Sequence, residues 1–421
     1  MKEITAGDVM HVYGSFGLGM DYTVRLCVRL KNDINGEMLS EAVNDTAKRY
    51  PYLSLRMMKD ENRIYYDDNP KEIVLLNTDS QISLNSAETN YHVWAVCYKD
   101  DVLYLDIYHG LLDGTGMYMV LSTLLFEYCK RRYGVVEHEG VRTLDDEIRP
   151  EEFTDPSDYL PEIDISKIPT PAYEMAFSLT GDAGLTPAEL SVTDIEIDES
   201  DFLKFTSAND ASPGIMISLL YARAIDCLYP DREKGIRNSY IINARPMLGA
   251  PMTHHNCVNT VFMEYNDKIK AMPFDRQCTV YRGKTFVQSD NQRVAGTMTF
   301  MSSRNRATVK SLPSLKEKCD TFAKSLAGGR MLFTFMVSYV GKWKYKAVEE
   351  YISEFWTHVP GANSLLTEVA AVGGKVFLSI HRKFREDNIV ECFLEELDRN
   401  NIKYKNNKHM LSDVAHFPMP E

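Results

Sequence analysis

A histidine and an aspartate four residues apart stand at a predicted strand-to-helix turn, in the stretch DIYHGLLDGTGMYM from Asp106 to Met119. Alternating apolar residues before the turn predict a strand, one face of which carries Leu103, Leu105, Ile107 and His109. An imidazole at the end of that strand is a candidate general base, because its ordinary pKa lies close to neutral pH.

The segment after His109 predicts a tight turn that opens a helix. Asp113 is placed to cap the helix, which is the ordinary role of an aspartate at this position. Gly114 suits a turn that a side chain would obstruct. The helical stripe comprises Met117, Val120, Leu121, Leu124 and Tyr128, and Gly134 ends it. Taken alone, a histidine followed by Asp-Gly leaves capping and catalysis both open.

The composition is that of an ordinary globular protein, with 44% hydrophobic and 25% charged residues in a chain of 421. A chain of this length has room for two or three domains. No apolar run approaches the roughly 18 residues that a membrane span requires. Glu3 and Asp8 interrupt the beginning of the chain, where a signal peptide is continuously apolar. We therefore expect a cytoplasmic protein without a membrane segment.

Metal, disulfide and nucleic-acid functions find little support in the sequence. The eight cysteines form no Cys-x-x-Cys pair, so neither a zinc site nor a disulfide framework is expected. His254 and His255 are adjacent but have no acidic or cysteine partner in register, and we expect no metal there. The net charge of −13 argues against general nucleic-acid binding.

Charge is unevenly distributed along the chain. The segment 137–201 has about 19 acidic and about 3 basic residues, whereas 260–346 has about 16 basic and about 6 acidic ones. One interpretation is a solvated acidic connector and a solvated basic face. The other is that the basic segment meets an anionic ligand, such as a phosphate-bearing carrier. Charge alone leaves both interpretations open.

The order of predicted elements indicates an α+β protein with two lobes of similar size. We place the N-terminal lobe at 1–135, an acidic, proline-rich crossover at 136–187 and the C-terminal lobe at 188–421. Within these, GSFGLG at 14–19 is predicted to be a loop before a strand. Two amphipathic helices are predicted at about 277–301 and 312–326, and NSYIINARPML at 238–248 is predicted to be one strand.

The sequence around the histidine resembles a known superfamily, that of chloramphenicol acetyltransferases, peptide-synthetase condensation domains and alcohol acyltransferases. Its motif is HHxxxDG, which residues 108–114 match except that Tyr108 replaces the first histidine. Further stretches agree in order and spacing: RYPYLSLRM (49–57), INARPML (242–248), NCVNTVFM (256–263) and VSYVG (337–341). The resemblance covers nearly the whole chain.

The resemblance implies two chloramphenicol-acetyltransferase-like lobes with a tunnel between them. His109 is then the general base, and Asp113, with Gly114 beside it, has a structural role in which Arg245 is its candidate partner. Substrate contacts fall on Tyr108, Asn256, Ser338 and Tyr339. Of these, Ser338 or Asn256 would donate to the oxyanion. Tyr339 stands where the family often has asparagine.

The implied activity is acyl transfer from a CoA thioester directly to a hydroxyl or amine of a small acceptor, without a covalent acyl-enzyme. Acyl-CoA would be a co-substrate, and no permanently bound cofactor or metal is expected. The basic segment 260–346 would lie partly around the donor's mouth of the tunnel. Two alternatives remain open: a condensation-type enzyme that uses an acyl carrier protein thioester, and a catalytically silent member that binds a ligand.

Overall fold

A mixed, five-stranded sheet forms the centre of the N-terminal lobe in the computed structural model, which describes residues 1–20, 22–167, 174–359 and 364–410. Its strands, in spatial order, are β12 (Ile352–His358), β2 (Thr23–Leu30), β7 (Val102–Tyr108), β6 (Trp94–Lys99) and β5 (Leu75–Asn77). A three-stranded sheet beside it contains β1 (Lys2–Glu3), β4 (Ile64–Asp68) and β3 (Leu55–Lys59). The helices of this lobe are α1 (Val9–Gly17), α2 (Gly36–Arg49) and α3 (Gly114–Tyr133).

A seven-stranded sheet forms the centre of the C-terminal lobe. Its strands, in spatial order, are β10 (Val258–Tyr265), β9 (Ile236–Asn243), β11 (Phe335–Lys342), β13 (Leu365–Val372), β14 (Lys375–Phe384), β8 (Pro187–Asp198) and β15 (Tyr404–Met410). The longer helices are α4 (Glu199–Ala208), α5 (Pro213–Leu228), α8 (Phe274–Gln288), α9 (Asn291–Ser311), α10 (Leu315–Arg330) and α12 (Asn388–Arg399), and the one-turn helices are α6 (Arg245–Leu248), α7 (Asp267–Lys270) and α11 (Lys346–Glu349).

The two lobes share a strand. β12 comes from the C-terminal part of the chain but pairs with β2, in antiparallel register from Ile352 opposite Leu30 to His358 opposite Arg25. Since β12 completes the N-terminal sheet, the segment predicted as the C-terminal lobe also contributes to its neighbour. The fold is α+β with two lobes, as predicted.

The acidic crossover is tied to the N-terminal lobe by a buried carboxylate. Arg49, the last residue of α2, donates two hydrogen bonds of 3.0 and 2.9 Å to Glu152, and the Tyr52 hydroxyl donates a third of 2.6 Å. Both charged groups are buried. A buried ion pair of this kind fixes the path of an otherwise irregular segment, because either charge alone would be costly in the interior.

The stretch GSFGLG is not a loop throughout, and that prediction is wrong. Gly14 to Gly17 belong to α1, and α1 packs closely against α10. A Cβ at Gly17 would lie 2.3 Å from the Cys319 carbonyl oxygen of α10. The glycines therefore permit close approach of two helices.

Two boundaries also differ from prediction. The predicted helix at about 277–301 is two helices, α8 and α9, because Asp290 interrupts the run and caps α9 by accepting from Arg293 N at 3.1 Å. The predicted strand 238–248 ends at Asn243, where Arg245 begins α6. Proline at the second position of α6 favours a helical turn there.

In the described part of the chain, no helix is by itself long and apolar enough to cross a membrane. The pair α4 and α5, bent by 75°, passes the same test of length and composition together. The eight cysteines are free thiols.

Candidate active site

His109 follows β7 directly, and three other residues hold it in place through its backbone and its ring. Its N–H donates to the Tyr22 carbonyl at 2.8 Å, and its carbonyl accepts from the Asn256 side-chain amide at 2.9 Å. The ring Nδ1 lies 2.9 Å from the Leu112 carbonyl. Because a carbonyl oxygen can only accept, Nδ1 carries the proton, and Nε2 is the basic nitrogen.

Three aromatic rings stack in the immediate surroundings of His109. The His109 ring lies 5.2 Å from the His11 ring and 4.9 Å from the Tyr22 ring, with interplanar angles of 11° and 19°. Burial is the main cause that lowers the pKa of His109. Burial and the neighbouring His109 lower the pKa of His11 to about 3. Both imidazoles are consequently neutral at pH 7, the form in which His109 can accept a proton.

Asp113 caps α3 and binds Arg245 across the lobes. Its two carboxylate oxygens each accept a 2.7 Å bond from Arg245, and they also accept from Gly116 N at 2.9 Å and Cys257 N at 3.0 Å. Asp113 is 1% exposed and Arg245 is 2% exposed. A carboxylate with four donors is saturated, so its role here is to join α3 to α6 and β10.

Arg245 also fixes the connection between α6 and β10. Its Nε donates to the Thr253 carbonyl at 3.0 Å and its Nη2 to the His255 carbonyl at 3.0 Å. Gly116 of α3 lies against the same connection, since a Cβ there would be 2.4 Å from the His254 carbonyl oxygen. The start of α3 and this connection are therefore positioned as one unit behind His109.

Asp8 organises a buried cluster below the site. It accepts from the Asn256 side-chain amide at 2.6 Å and lies 3.0 Å from His255 Nδ1. Although burial opposes protonation, the carboxylate of Asp8 raises the pKa of His255. The two amide hydrogens of Asn256 are thus engaged by Asp8 and by the His109 carbonyl. Asn256 thereby positions the His109 backbone.

Strands β11 and β13 present the face of the C-terminal lobe that meets α3. Val340 of β11 packs toward the N-terminal core, and a Cβ on Gly114 would lie 2.7 Å from its Cγ2. Ser338 is two residues before Val340 and therefore lies on the same face. Tyr339 lies on the other face, where it packs with the C-terminal core. The structure therefore places Ser338 on the strand face at the interface and packs the Tyr339 ring with the C-terminal core, although the Tyr339 phenol still influences the pKa of Tyr118 on α3.

Tyr108 is directed away from the His109 ring. It is buried in the N-terminal core, its hydroxyl lies 3.4 Å from the Ser15 hydroxyl of α1, and Gly110 packs on its ring. Here the tyrosine that replaces the first histidine of the motif is a packing residue.

Four polar residues at this interface were not identified by sequence: Asp8, His11, Tyr22 and Glu368. His11 and Asp8 belong to the N-terminal stretch that gave no motif, and α1 brings His11 to the site. Glu368 lies next to Ser338 across the β11–β13 register. An uncompensated glutamate in the apolar strand LLTEVAAV was the one local signal.

Two further histidines of the described residues, His358 and His381, lie apart from this cluster. His358 and His381 are buried, and His358 lies 3.3 Å from Asp194 and 3.6 Å from the Cys27 sulfur. His416 lies outside the described residues. Among the residues that the structure does describe, no group of three or more His, Cys, Asp or Glu side chains is arranged to hold a metal ion.

No protein-family model matches this sequence, and no curated protein matches it. Solved structures do match over nearly the full length of the chain. F. graminearum TRI101 complexed with coenzyme A and T-2 mycotoxin has a TM-score of 0.62 at 9% identity, with 96% of this chain and 99% of that chain covered. Polyketide synthase associated protein 5 from Mycobacterium tuberculosis has a TM-score of 0.62 at 12% identity, with 94% and 97% covered.

The first condensation domain of the CDA synthetase is also similar, with a TM-score of 0.58 at 12% identity and 94% of each chain covered. These identities establish similarity of fold. The chain therefore has the two-lobed α+β fold of these structures.

Proposed function

We propose that this protein is an acyltransferase that moves an acyl group from a CoA thioester directly to a hydroxyl or amine of a small acceptor. The observation that carries the proposal is the state of His109. Its Nδ1 is held by the Leu112 carbonyl, and its pKa is lowered by burial. That leaves a neutral Nε2 at the junction of two lobes whose fold is shared with acyltransferases.

In the proposed reaction, Nε2 of His109 takes the proton of the acceptor as its oxygen or nitrogen attacks the thioester carbonyl. The tetrahedral intermediate collapses, the carbon–sulfur bond breaks, and the thiolate of CoA takes the proton from the imidazolium. The ester or amide and free CoA leave, and His109 returns to its starting form. No bond between the acyl group and the protein is needed.

The negative oxygen of the intermediate requires a hydrogen-bond donor. Asn256 does not fill this role in the geometry described, because both of its amide hydrogens are engaged. Ser338 remains the proposed donor. Its side chain lies beside Glu368 in the strand register, and its hydroxyl would turn to donate to the oxyanion.

Part of the basic segment 260–346 supports an anionic donor. Arg330 ends α10 close enough to Tyr22 for its charge to influence the pKa of that phenol. Arg306 of the same segment forms an ion pair within the protein, at 2.6 Å from Asp158 of the crossover. We propose that Arg330 marks the donor side of His109, where it attracts the phosphates of CoA.

The experiment for this proposal is thermal unfolding with acetyl-CoA or free CoA, followed by release of CoA thiol with hydroxyl and amine acceptors. A ligand present at 100 times its Kd stabilises the folded state by about 2.7 kcal/mol. We expect stabilisation that weakens with added salt and in Arg330→Gln. Failure of both acyl-CoA and CoA to stabilise the protein contradicts the CoA-dependent reaction.

Two alternative functions have specific support. The similarity to condensation domains favours an acyl carrier protein as donor, and release of acyl groups from an acetylated carrier protein alone would favour that reaction. A catalytically silent ligand-binding protein would bind acetyl-CoA without any transfer. The presence of His109 with its Nδ1 bond, and of the Asp113–Arg245 pair, argues against a silent protein.

A further inference from the structure

A glutamate on β13 faces the same interface as His109. Neighbouring residues of β13 alternate, so that Leu366 and Ala370 pack with the N-terminal core, whereas Val369 and Ala371 pack with the C-terminal core. Glu368 has the parity of Leu366 and Ala370. Its side chain therefore points toward the N-terminal lobe and remains partly accessible.

The neighbours of Glu368 place it beside the His109 cluster. Ser338 of β11 is its partner in the strand register, and the Ser338 side chain lowers the pKa of the Glu368 carboxyl, whereas burial, the larger cause, raises it. The negative charge of Glu368 raises the pKa of Tyr22 and of Tyr118, after burial as the larger cause. Because Tyr22 stacks on His109 at 4.9 Å, Glu368 lies within electrostatic reach of the ring that flanks the base.

Within the ranges that the structure describes, Glu368 forms no ion pair. Arg330 acts on the pKa of Tyr22, but burial and Ser338 are the two causes that set the pKa of Glu368, and burial raises it to about 7. A partly buried carboxylate without a cation is unfavourable and gains stability when a ligand supplies one.

A second polar group at the same place lacks a partner. Tyr118 of α3 is 5% exposed, and among the described residues its hydroxyl has no hydrogen-bond partner. Burial raises the pKa of this phenol most, and Glu368, Tyr339 and Tyr345 raise it further. A buried hydroxyl without a partner next to an uncompensated carboxylate indicates that a ligand's polar group completes the arrangement.

We infer that Glu368, with Ser338 and Tyr118, binds a positively charged ammonium group of the acceptor. This ammonium is separate from the nucleophile, because a protonated amine cannot attack a thioester. The acceptor class is accordingly an amino alcohol or a diamine, whose second group reaches His109. The inference deepens the proposed function and rests on it for the identity of the bound molecule as an acceptor.

The experiment compares pairs of probes that differ only in an ammonium or hydroxyl group: ethanolamine with ethylene glycol, and tyramine with tyrosol. Affinities are measured by calorimetry at pH 8, where Glu368 is ionised, for the wild type, Glu368→Gln and Glu350→Gln. Glu350 is an exposed glutamate and serves as the matched control. Hydrogen bonds to charged groups predict that at least one amine binds about 10- to 100-fold more tightly than its alcohol.

This preference should disappear in Glu368→Gln and persist in Glu350→Gln. Equal affinity of amine and alcohol in the wild type, including no binding of either, overturns the inference, as does a preference that survives in Glu368→Gln. The proposed function is judged separately by transfer from acetyl-CoA. If transfer occurs without any amine preference, the inference fails alone. If an amine preference depends on Glu368 and no transfer occurs, the binding site stands and the proposed reaction fails.

Discussion

Asp113 and Arg245, 132 residues apart in the chain, are joined by two hydrogen bonds of 2.7 Å at the contact between the lobes. Both side chains are buried, and each also bonds to backbone groups on the opposite lobe or on the connection that leads into β10. The aspartate of the motif thus connects the lobes, while His109, the proposed base, lies four residues earlier in the chain.

Loss of this pair should destabilise the protein strongly. Replacing Asp113 by alanine leaves the Arg245 guanidinium buried without its counter-charge, which typically costs about 3 to 5 kcal/mol. Asp320→Ala is the control, because its ion pair with Lys316 is exposed to solvent and contributes little to stability. Unfolding in urea measures both. An Asp113→Ala protein as stable as the control would show that the pair does not hold the lobes together.

Because α3 lies close to the connection before β10, a side chain added at Gly116 should destabilise the protein. Gly116→Ala would place a methyl group 2.4 Å from the His254 carbonyl oxygen, a backbone atom that cannot rotate away. We expect a lower Tm. Gly283→Ala in α8 is the matched control, since nothing lies within 4 Å of the new methyl group and alanine favours a helix by up to about 1 kcal/mol. Equal effects of the two substitutions would exclude this contact.

Glu368 should make stability depend on pH. Its pKa is raised by burial from 4.5 to about 7 in the folded state, so the folded protein binds this proton more tightly than the unfolded chain. The resulting stability is complete below about pH 4.5 and is lost as the pH rises through about 7. Glu368→Gln has no such loss. Relative to the wild type, its free energy of unfolding should therefore rise between pH 4.5 and about 7, by at most about 3 kcal/mol. A constant difference across these pH values would contradict the raised pKa.

The lowered pKa of His109 predicts where the rate of the reaction falls at acidic pH. Burial favours the neutral imidazole, so the base should stay active below its ordinary pKa of 6.5. We expect kcat/KM to fall only at pH values below 6.5. The measurement is best made in Glu368→Gln with a neutral alcohol acceptor, which removes titration of Glu368 from the profile. An acid limb centred above pH 6.5 would mean that a different group, or a charged His109, controls the rate.

Local sequence patterns predicted the strand that ends at His109, the cap at Asp113 and the two-lobed α+β arrangement. The resemblance to a known superfamily supplied Arg245 as the partner of Asp113, 132 residues away. That pairing has no local signal, because it depends on how the lobes meet.

The rest depended on packing between distant segments. His11 reaches His109 on α1, which packs against α10 at Gly14 and Gly17, glycines whose spacing predicts a loop. Tyr22 reaches it because β2 pairs with β7. Ser338 is on the face of β11 that carries Val340 and meets the N-terminal lobe, whereas the Tyr339 ring packs with the C-terminal core. Glu368 is the one charged residue in a strand of apolar and small residues. The sequence did not identify it because the side chains around it come from three other elements.

The central claim is that His109 is the base for acyl transfer, and single-turnover transfer from acetyl-CoA by His109→Ala tests it most directly. The control is His138→Ala, which changes an exposed histidine of the crossover. We predict that His109→Ala keeps the wild-type Tm within a few degrees and loses about 10²- to 10⁴-fold in rate, while His138→Ala is unaffected. A folded His109→Ala protein that transfers the acetyl group at the wild-type rate would contradict the account.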